Sequence, residues 1–496
     1  MRACRHSATL AAALLLLLGG SAAARADAPE APEAAALEAT LHDWLAALFG
    51  PRMALGARPV QLTPQGDHFD LAVPIAGAVG ETGIRLDGPA LTATARRLDG
   101  GRWALDGIRL PSPLRIDVPA PQGENVWTVT MQDQVQHAVL DPTLATTSTW
   151  DGSIGGYTSE WHGPGGSRRS EAAHVRTHIA WQPAGGGRID VTETASSDLL
   201  TSNMRDDRLG LVAFSAGHAQ VLAHVAALAP SRLPALLQSA LDLAPLLLTT
   251  AGDATAAPHA SPRLTPELRA ALARMLDAAG DLLGGFGEQV VFRNVLVRGH
   301  DFDAAMQSVE LGAKVSAPDG HVRLRLHVAM DGLDSGALPS GRLRAYVPSH
   351  IALTPWLDGL PAARLRALLH AALAAGGSND PALATQARAL VRDGPLSVGI
   401  DDLAADLGPA TLAASGEARV IGPDQIAGQA RIRITGLDAL IRDARGEPAL
   451  RQVLPMLIFL KGIGEAEGPA TVWNLAYDGG RLSVNGTDLS QMMPGK

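Results

Sequence analysis

Apolar residues recur at two periods along this chain, and the switches between them divide it. Leu37, Leu41, Trp44, Leu45 and Leu48 fall at i, i+4, i+7, i+8 and i+11. That is one helical stripe, predicting a helix over 33–48 that Gly50-Pro51 ends. Phe69, Leu71 and Val73 then alternate with polar or small residues, as a half-buried strand does. Similar runs at 126–131, 137–140, 157–161, 175–181 and 189–194 sit between Gly, Pro and Asp clusters. Together they predict an antiparallel, meander-like stretch to about residue 195.

The period then lengthens. Residues 204–285 read as helical, with segments at 209–228 and 233–248. A third opens at Thr265-Pro266-Glu267: an N-cap, a proline at the first helical position and an acid in the first turn. Strand patterns return at 288–298, 306–316 and 321–331, followed by a helix at 361–375, strands within 395–435, a helix near 447–461 and a hairpin at 470–489.

Two pairs of segments repeat. Val328-Ala329-Met330-Asp331-Gly332-Leu333-Asp334 matches Ile432-Arg433-Ile434-Thr435-Gly436-Leu437-Asp438, and alternating apolar residues precede both. Gly88-Pro89-Ala90 with Asp99-Gly100-Gly101-Arg102 matches Gly468-Pro469-Ala470 with Asp478-Gly479-Gly480-Arg481. Asp-Gly-Gly between alternating runs is a hairpin turn, because these residues tolerate positive φ. The expected fold class is α+β: long, mainly antiparallel sheets in two related repeat halves, with apolar helices packed on one face. The expected divisions are a signal peptide at 1–26, a helix plus strand-rich half at 27–200, a helical insertion at 201–287 and a strand–helix half at 288–496.

The first segment supplies an address. Arg2 and Arg5 precede an apolar run from Leu10 to Leu18, and Ala24-Arg25-Ala26 forms a small-x-small cleavage site. This is the pattern of a cleaved secretory signal peptide, and the run is short of the roughly 20 residues a membrane span needs. Its loss would remove three arginines and Cys4, the only cysteine, taking the formal charge from −9 to −12. No disulfide, cysteine nucleophile or cysteine metal ligand is then expected. With only three lysines among its basic residues and abundant Ala, Gly and Pro, the chain reads as a bacterial, periplasmic protein. At 496 residues and 46% hydrophobic it can build a buried core, while its negative balance argues against nucleic acid as a partner.

Candidate chemistry is sparse. Ala213-Phe214-Ser215-Ala216-Gly217 resembles a nucleophile elbow, but antiparallel hairpins precede it and no βαβ rhythm follows. A periplasmic serine hydrolase using Ser215 is one alternative reading. His174 and His178 alternate with Val175, Thr177 and Ile179 as a strand, which sets them about 13 Å apart and unable to share a metal. Asp401, Asp402 and Asp406 read as a solvated strand end. Trp150, Tyr157, Trp161 and Trp181 concentrate aromatics in one strand-rich stretch, as a sheet core or a carbohydrate-binding module would. No catalytic residue, cofactor or metal is expected.

The apolar helices carry more weight. Neither the leucine-rich 233–248 nor 454–460 can span a bilayer, the first holding Asp242 and Pro245 and the second being too short. They pack on the sheet or line a greasy groove for lipid tails or a membrane surface. The candidate lining residues are Leu237, Leu241, Leu247, Met456, Leu457 and Phe459. The leading reading is a non-enzymatic exported protein that binds a lipid or other apolar ligand, or supports the cell envelope. The sequence leaves oligomeric state open.

The phrases ITGLDALI, LPMLIFLKGIG and WNLAYDGGRLSVNGTDL, with the signal peptide and repeated strands, resemble proteobacterial exported proteins grouped as domain of unknown function 2125. The chain is more loosely similar to YdgA-type and AsmA-like envelope proteins. The likeness is best over roughly 290–490. It implies a periplasmic, strand-rich repeat protein, and AsmA-like relatives are associated with lipid movement between membranes. The expected lack of an N-terminal anchor is a departure from those relatives.

Overall fold

The computed structural model describes residues 60–489 apart from 253–264 and short loop segments, together with residues 35, 37, 38 and 41. The expected signal peptide therefore lies outside the described residues, as do Trp44, Leu45 and Leu48. The described residues form an α+β protein built mainly of antiparallel strands. They divide into one unit reaching Phe286, with Val297–Asp301, and a second of Gly287–Leu296 and residues from Phe302 onward.

In the first unit strands pair in the order Gln61–Gln65, His68–Val73, Leu91–Arg97, Trp103–Arg109, Val135–Asp141, Thr146–Gly163. A second series, Gly77–Ala78, Arg85–Asp87, Leu114–Ala120 and Gly123–Gln132, reaches the other half of Thr146–Gly163. Three strands are long: Thr146–Gly163, Gly166–Gly185 and Gly210–Leu228. Each extends about 60 Å at about 3.3 Å per residue. Each pairs end to end with two shorter strands. Gly166–Gly185, for example, takes Arg188–Ser197 on one half and Leu199–Asp206 on the other.

A crease crosses these strands where the short ones meet. Asp133 and His174 have φ of 51° and 48°, and His174 Nδ1 lies 3.2 Å from Asp198 Oδ2. A Cβ on Gly155 would fall 2.9 Å from the Asp133 side chain. The parity of buried positions changes across the crease. Trp150 and Ile179 are buried before it, Ser159 and Ser170 after it. Gly155 and His174 both drop out of the pairing there, which passes from Ile154–Val175 to Gly156–Ala173 without a shift of register, and the later side chains of both strands turn to the other face.

The main core of this unit joins Phe69, Trp103, Trp150, Ile179 and Trp181 with Leu37 and Leu41, the i and i+4 residues of the first expected helix. Phe69 and Trp103 rings lie 5.9 Å apart in a tilted pair. Helices Leu233–Gly252 and Pro266–Ala279 pack together through Leu243, Leu268 and Ala271. Thr265 caps the second as expected, its Oγ1 accepting from the Leu268 N–H at 3.2 Å.

One expected helix is a strand. Residues 210–228 pair with both Arg188–Ser197 and Leu199–Asp206 instead of coiling. Alanine makes this stretch apolar at either period. Val212, Phe214, Val221 and Val225 favour a strand, and cross-strand pairing decides between the two.

The second unit runs Asp303–Ser316, His321–Asp331, His350–Pro361, Leu396–Leu407, Ala410–Gly422, Gln425–Thr435, Ala470–Asp478, each antiparallel to the next. Helices Ala362–Ala375 and Pro381–Arg392 interrupt this meander, and Leu437–Gly446 and Leu454–Ile463 precede its last hairpin. Strand His350–Pro361 and helix Pro381–Arg392 were not legible in the sequence. Pro355 and Pro361 punctuate the former, and Pro355 sits at a register shift opposite Ile400.

The repeated phrases share turn geometry. Gly332 and Gly436 leave their strands at φ of 63° and 81°, and Gly100, Gly101, Gly479 and Gly480 all have positive φ. The continuations differ: Asp334 bridges Ala305, whereas Gly436 leads directly into a helix. A Cβ at Gly436 would fall 2.2 Å from the Pro409 carbonyl oxygen, while at Gly479 it would meet open space. Gly436→Ala should therefore cost well over about 2 kcal/mol in urea unfolding and Gly479→Ala about 1 kcal/mol. Equal losses would contradict this reading of the turns.

Candidate functional site

Cross-strand register sorts the second unit into an apolar face and a polar one. Opposite residues of paired strands point the same way. One row runs Leu311, Val328, Leu353, Leu403, Ala414, Ile432 and ends at Trp473. A parallel row runs Val309, Met330, Ile351, Ala405, Leu412 and Ile434. Another joins Val315, Leu324, Leu357, Val398 and Ala418. The six steps between the seven strands span about 29 Å at about 4.8 Å each.

The intervening positions are polar. Ser308, Asp331, His350, Asp406, Thr411 and Thr435 form one row of the opposite face. Arg325 pairs with Asp401 at 2.5 Å and Arg323 with Asp358 at 3.1 Å. Asp401 and Asp402 thus occupy a bulge within a strand, where the sequence suggested a strand end.

The apolar face is covered at one end. There Leu437, Ile441, Leu454, Leu457, Leu460 and Ile463 of two helices meet Ile432, Ile434, Trp473 and Leu475. Trp473 Nε1 donates to the Leu460 carbonyl at 2.9 Å, and Asn485 Nδ2 donates to the Ile463 carbonyl at 3.0 Å. The Leu460 carbonyl also accepts from the Gly464 N–H at 3.1 Å, so the indole adds a second bond to the last turn of the helix. Farther along the same face Leu326, Val328, Val398, Ile400 and Ile426 are 36–45% exposed. An antiparallel sheet ordinarily packs such a face on a core. Contiguous exposed apolar area beyond a few hundred Å² marks an interaction site.

The six candidate lining residues are distributed over both units. Leu237 is half-buried in helix Leu233–Gly252, and Leu241 packs beside Ile84 and Val118. Leu247 belongs to that helix, with its side chain outside the described residues. Leu457 faces the sheet, whereas Met456 and Phe459 point outward, each 54% exposed. The open sheet face itself was missed as a site. Its signal was the alternation from Val322 to Met330, which reads equally as an ordinary core strand.

Other sequence candidates take structural places. Ser215 lies in mid-strand opposite Thr201, away from any strand-to-helix turn. His178 Nδ1 lies 2.7 Å from Asp151 Oδ1, on a different partner from His174. Trp150 and Trp181 are buried, so neither ring offers a surface to a sugar. Trp161 is tilted against Trp127 at 6.3 Å and donates from Nε1 to Asn125 at 3.2 Å. Burial pushes the neighbouring Tyr157 phenol up, opposed by its hydrogen bond to Ser159 and by Arg168.

Comparison of the chain with protein-family models, curated proteins and solved structures found no match.

The polar face offers a pH test of this geometry. The Ser308 hydroxyl donates to Asp331, and His350 Nδ1 lies 2.6 Å from its other oxygen. The Ser308 hydrogen bond first, then His350, hold the Asp331 carboxyl below its usual value. The stability this confers should be complete above the ordinary carboxylate range near pH ~4 and disappear as pH falls through the lower folded-state value. Urea midpoints of wild type and Asp331→Asn should diverge above that range and converge in acid. Curves that stay parallel at every pH would contradict the assignment.

Proposed function

We propose that this protein is a non-enzymatic lipid binder that receives acyl chains on the open apolar face of its second unit. The observation that carries the reading is a seven-strand sheet whose register aligns apolar rows, with Val328 and Ile400 in the interior strands 45% and 36% exposed. Acyl chains suit this surface because they ask for no hydrogen bonds. The aligned rows are continuously apolar, and the charged groups lie on the opposite face. Burying one CH₂ is worth about 0.8 kcal/mol, so a chain of ten carbons half-buried there gains about 4 kcal/mol. The inner stripe of helix Leu454–Ile463 closes one end of that face.

Residues 1–26 support placing this activity in the bacterial periplasm, after export and cleavage. The AsmA-like resemblance favours lipid over other apolar ligands.

The test is native mass spectrometry with lipid extraction on protein isolated from the producing cell. A co-purifying acyl lipid is expected. Val328→Asp with Ile400→Asp should remove it and lower binding of a fluorescent fatty acid at least tenfold, whereas Arg323→Gln on the opposite face should leave both unchanged. Lipid-free wild type that also ignores the fluorescent fatty acid would overturn the proposal.

A further inference from the structure

Helix Leu454–Ile463 is apolar on both sides. Leu454, Leu457, Leu460 and Ile463 form the inner stripe against the sheet. Val453, Met456 and Phe459, again three apart, form an outer stripe that Ile458 widens, and these four are 39–54% exposed. A surface helix ordinarily carries polar residues on that side. At ten residues this helix is too short to cross a bilayer.

We propose that this helix is a membrane-contact element that lies in the headgroup boundary of an anionic bilayer, where acyl chains pass to or from the sheet face. The inference rests on the lipid-binding reading. Two features select a lipid surface as the occupant. The first is continuity, because the helix that exposes the outer stripe also covers one end of the apolar face. The second is charge. Arg451 and Lys461 bracket the stripe, and Arg442 and Arg445 are exposed on the adjoining helix. Among nearby acids, Asp438 is engaged by Lys461 and Asp443 accepts from the Tyr346 hydroxyl at 2.6 Å. With Lys461 paired to Asp438, the exposed arginines Arg442, Arg445 and Arg451 are the cations available to headgroups; of the acids that follow the helix, Glu467 is held by Arg431 and Arg433. An apolar stripe flanked by cations is how interfacial helices bind, the apolar side chains entering the acyl boundary while cations meet anionic headgroups.

The experiment is flotation of the full chain with vesicles of phosphatidylcholine alone or mixed with phosphatidylglycerol, with native mass spectrometry of the same samples. Wild type should float with the anionic vesicles, less so at high salt. Met456→Ser with Phe459→Ser should weaken partitioning at least about tenfold while leaving the urea midpoint unchanged. Arg442→Gln with Arg445→Gln and Arg451→Gln should remove the salt-sensitive part. Wild type that carries lipid yet ignores both vesicles would overturn this inference alone. Wild type with neither lipid nor vesicle binding would overturn it together with the sheet-face reading. An outer-stripe variant that floats like wild type would overturn it, as would one whose only change is loss of a concentration-dependent dimer, which would assign the stripe to a second copy.

Discussion

The register of strand pairing in the second unit is the constraint from which its other properties follow. Side chains alternate at period two, so one pairing register fixes which residues share a face over all seven strands. A slip of one residue at any pair would place Arg325 or Lys314 among the leucines. The bulge at Asp401 and the register shift at Pro355 occur together, and beyond them Val398 and Ile400 still align with Leu357 and Gly416. The two irregularities preserve the apolar face while letting Arg325 reach Asp401 on the other side.

The two units use the same strand grammar with different ends. In the first, bulky aromatics such as Trp103 and Trp150 close a conventional core, and the crease at Asp133 and His174 changes which positions are buried. In the second, branched aliphatics line a face that helices Leu437–Gly446 and Leu454–Ile463 cover at the Trp473 end, while Leu326, Val328, Val398, Ile400 and Ile426 stay 36–45% exposed. Trp473 serves both roles there, packing with Leu437 and Ile441 while its indole N–H holds the Leu460 carbonyl. A face left open at the cost of hydrated apolar surface makes physical sense when something else covers it during function.

Much of this architecture was legible from periodicity. The strands near 288–298, 306–316 and 321–331, the Thr265 cap and the Asp-Gly-Gly turns all appear close to where local pattern placed them. Failures have particular causes. The alanines of 210–228 satisfy a helical and a strand pattern alike, and only pairing with Arg188–Ser197 and Leu199–Asp206 resolves them. Prolines hid the strand His350–Pro361. The site was harder to read than the fold, because alternation reveals that one face is apolar and says nothing about whether another layer covers it. Phe459 and Leu457 are chemically alike in sequence, and packing alone separates an inner stripe from an outer one.

The most direct measurement is photo-crosslinking of a diazirine-bearing fatty acid, mapped by peptide mass spectrometry. The account predicts labels at alternate positions of the interior strands, at Val328, Val398, Ile400 and Ile426, and none at the intervening Arg325, Ser397 or Gln425. Labels confined to the polar face, or spread without a two-residue period, would contradict it.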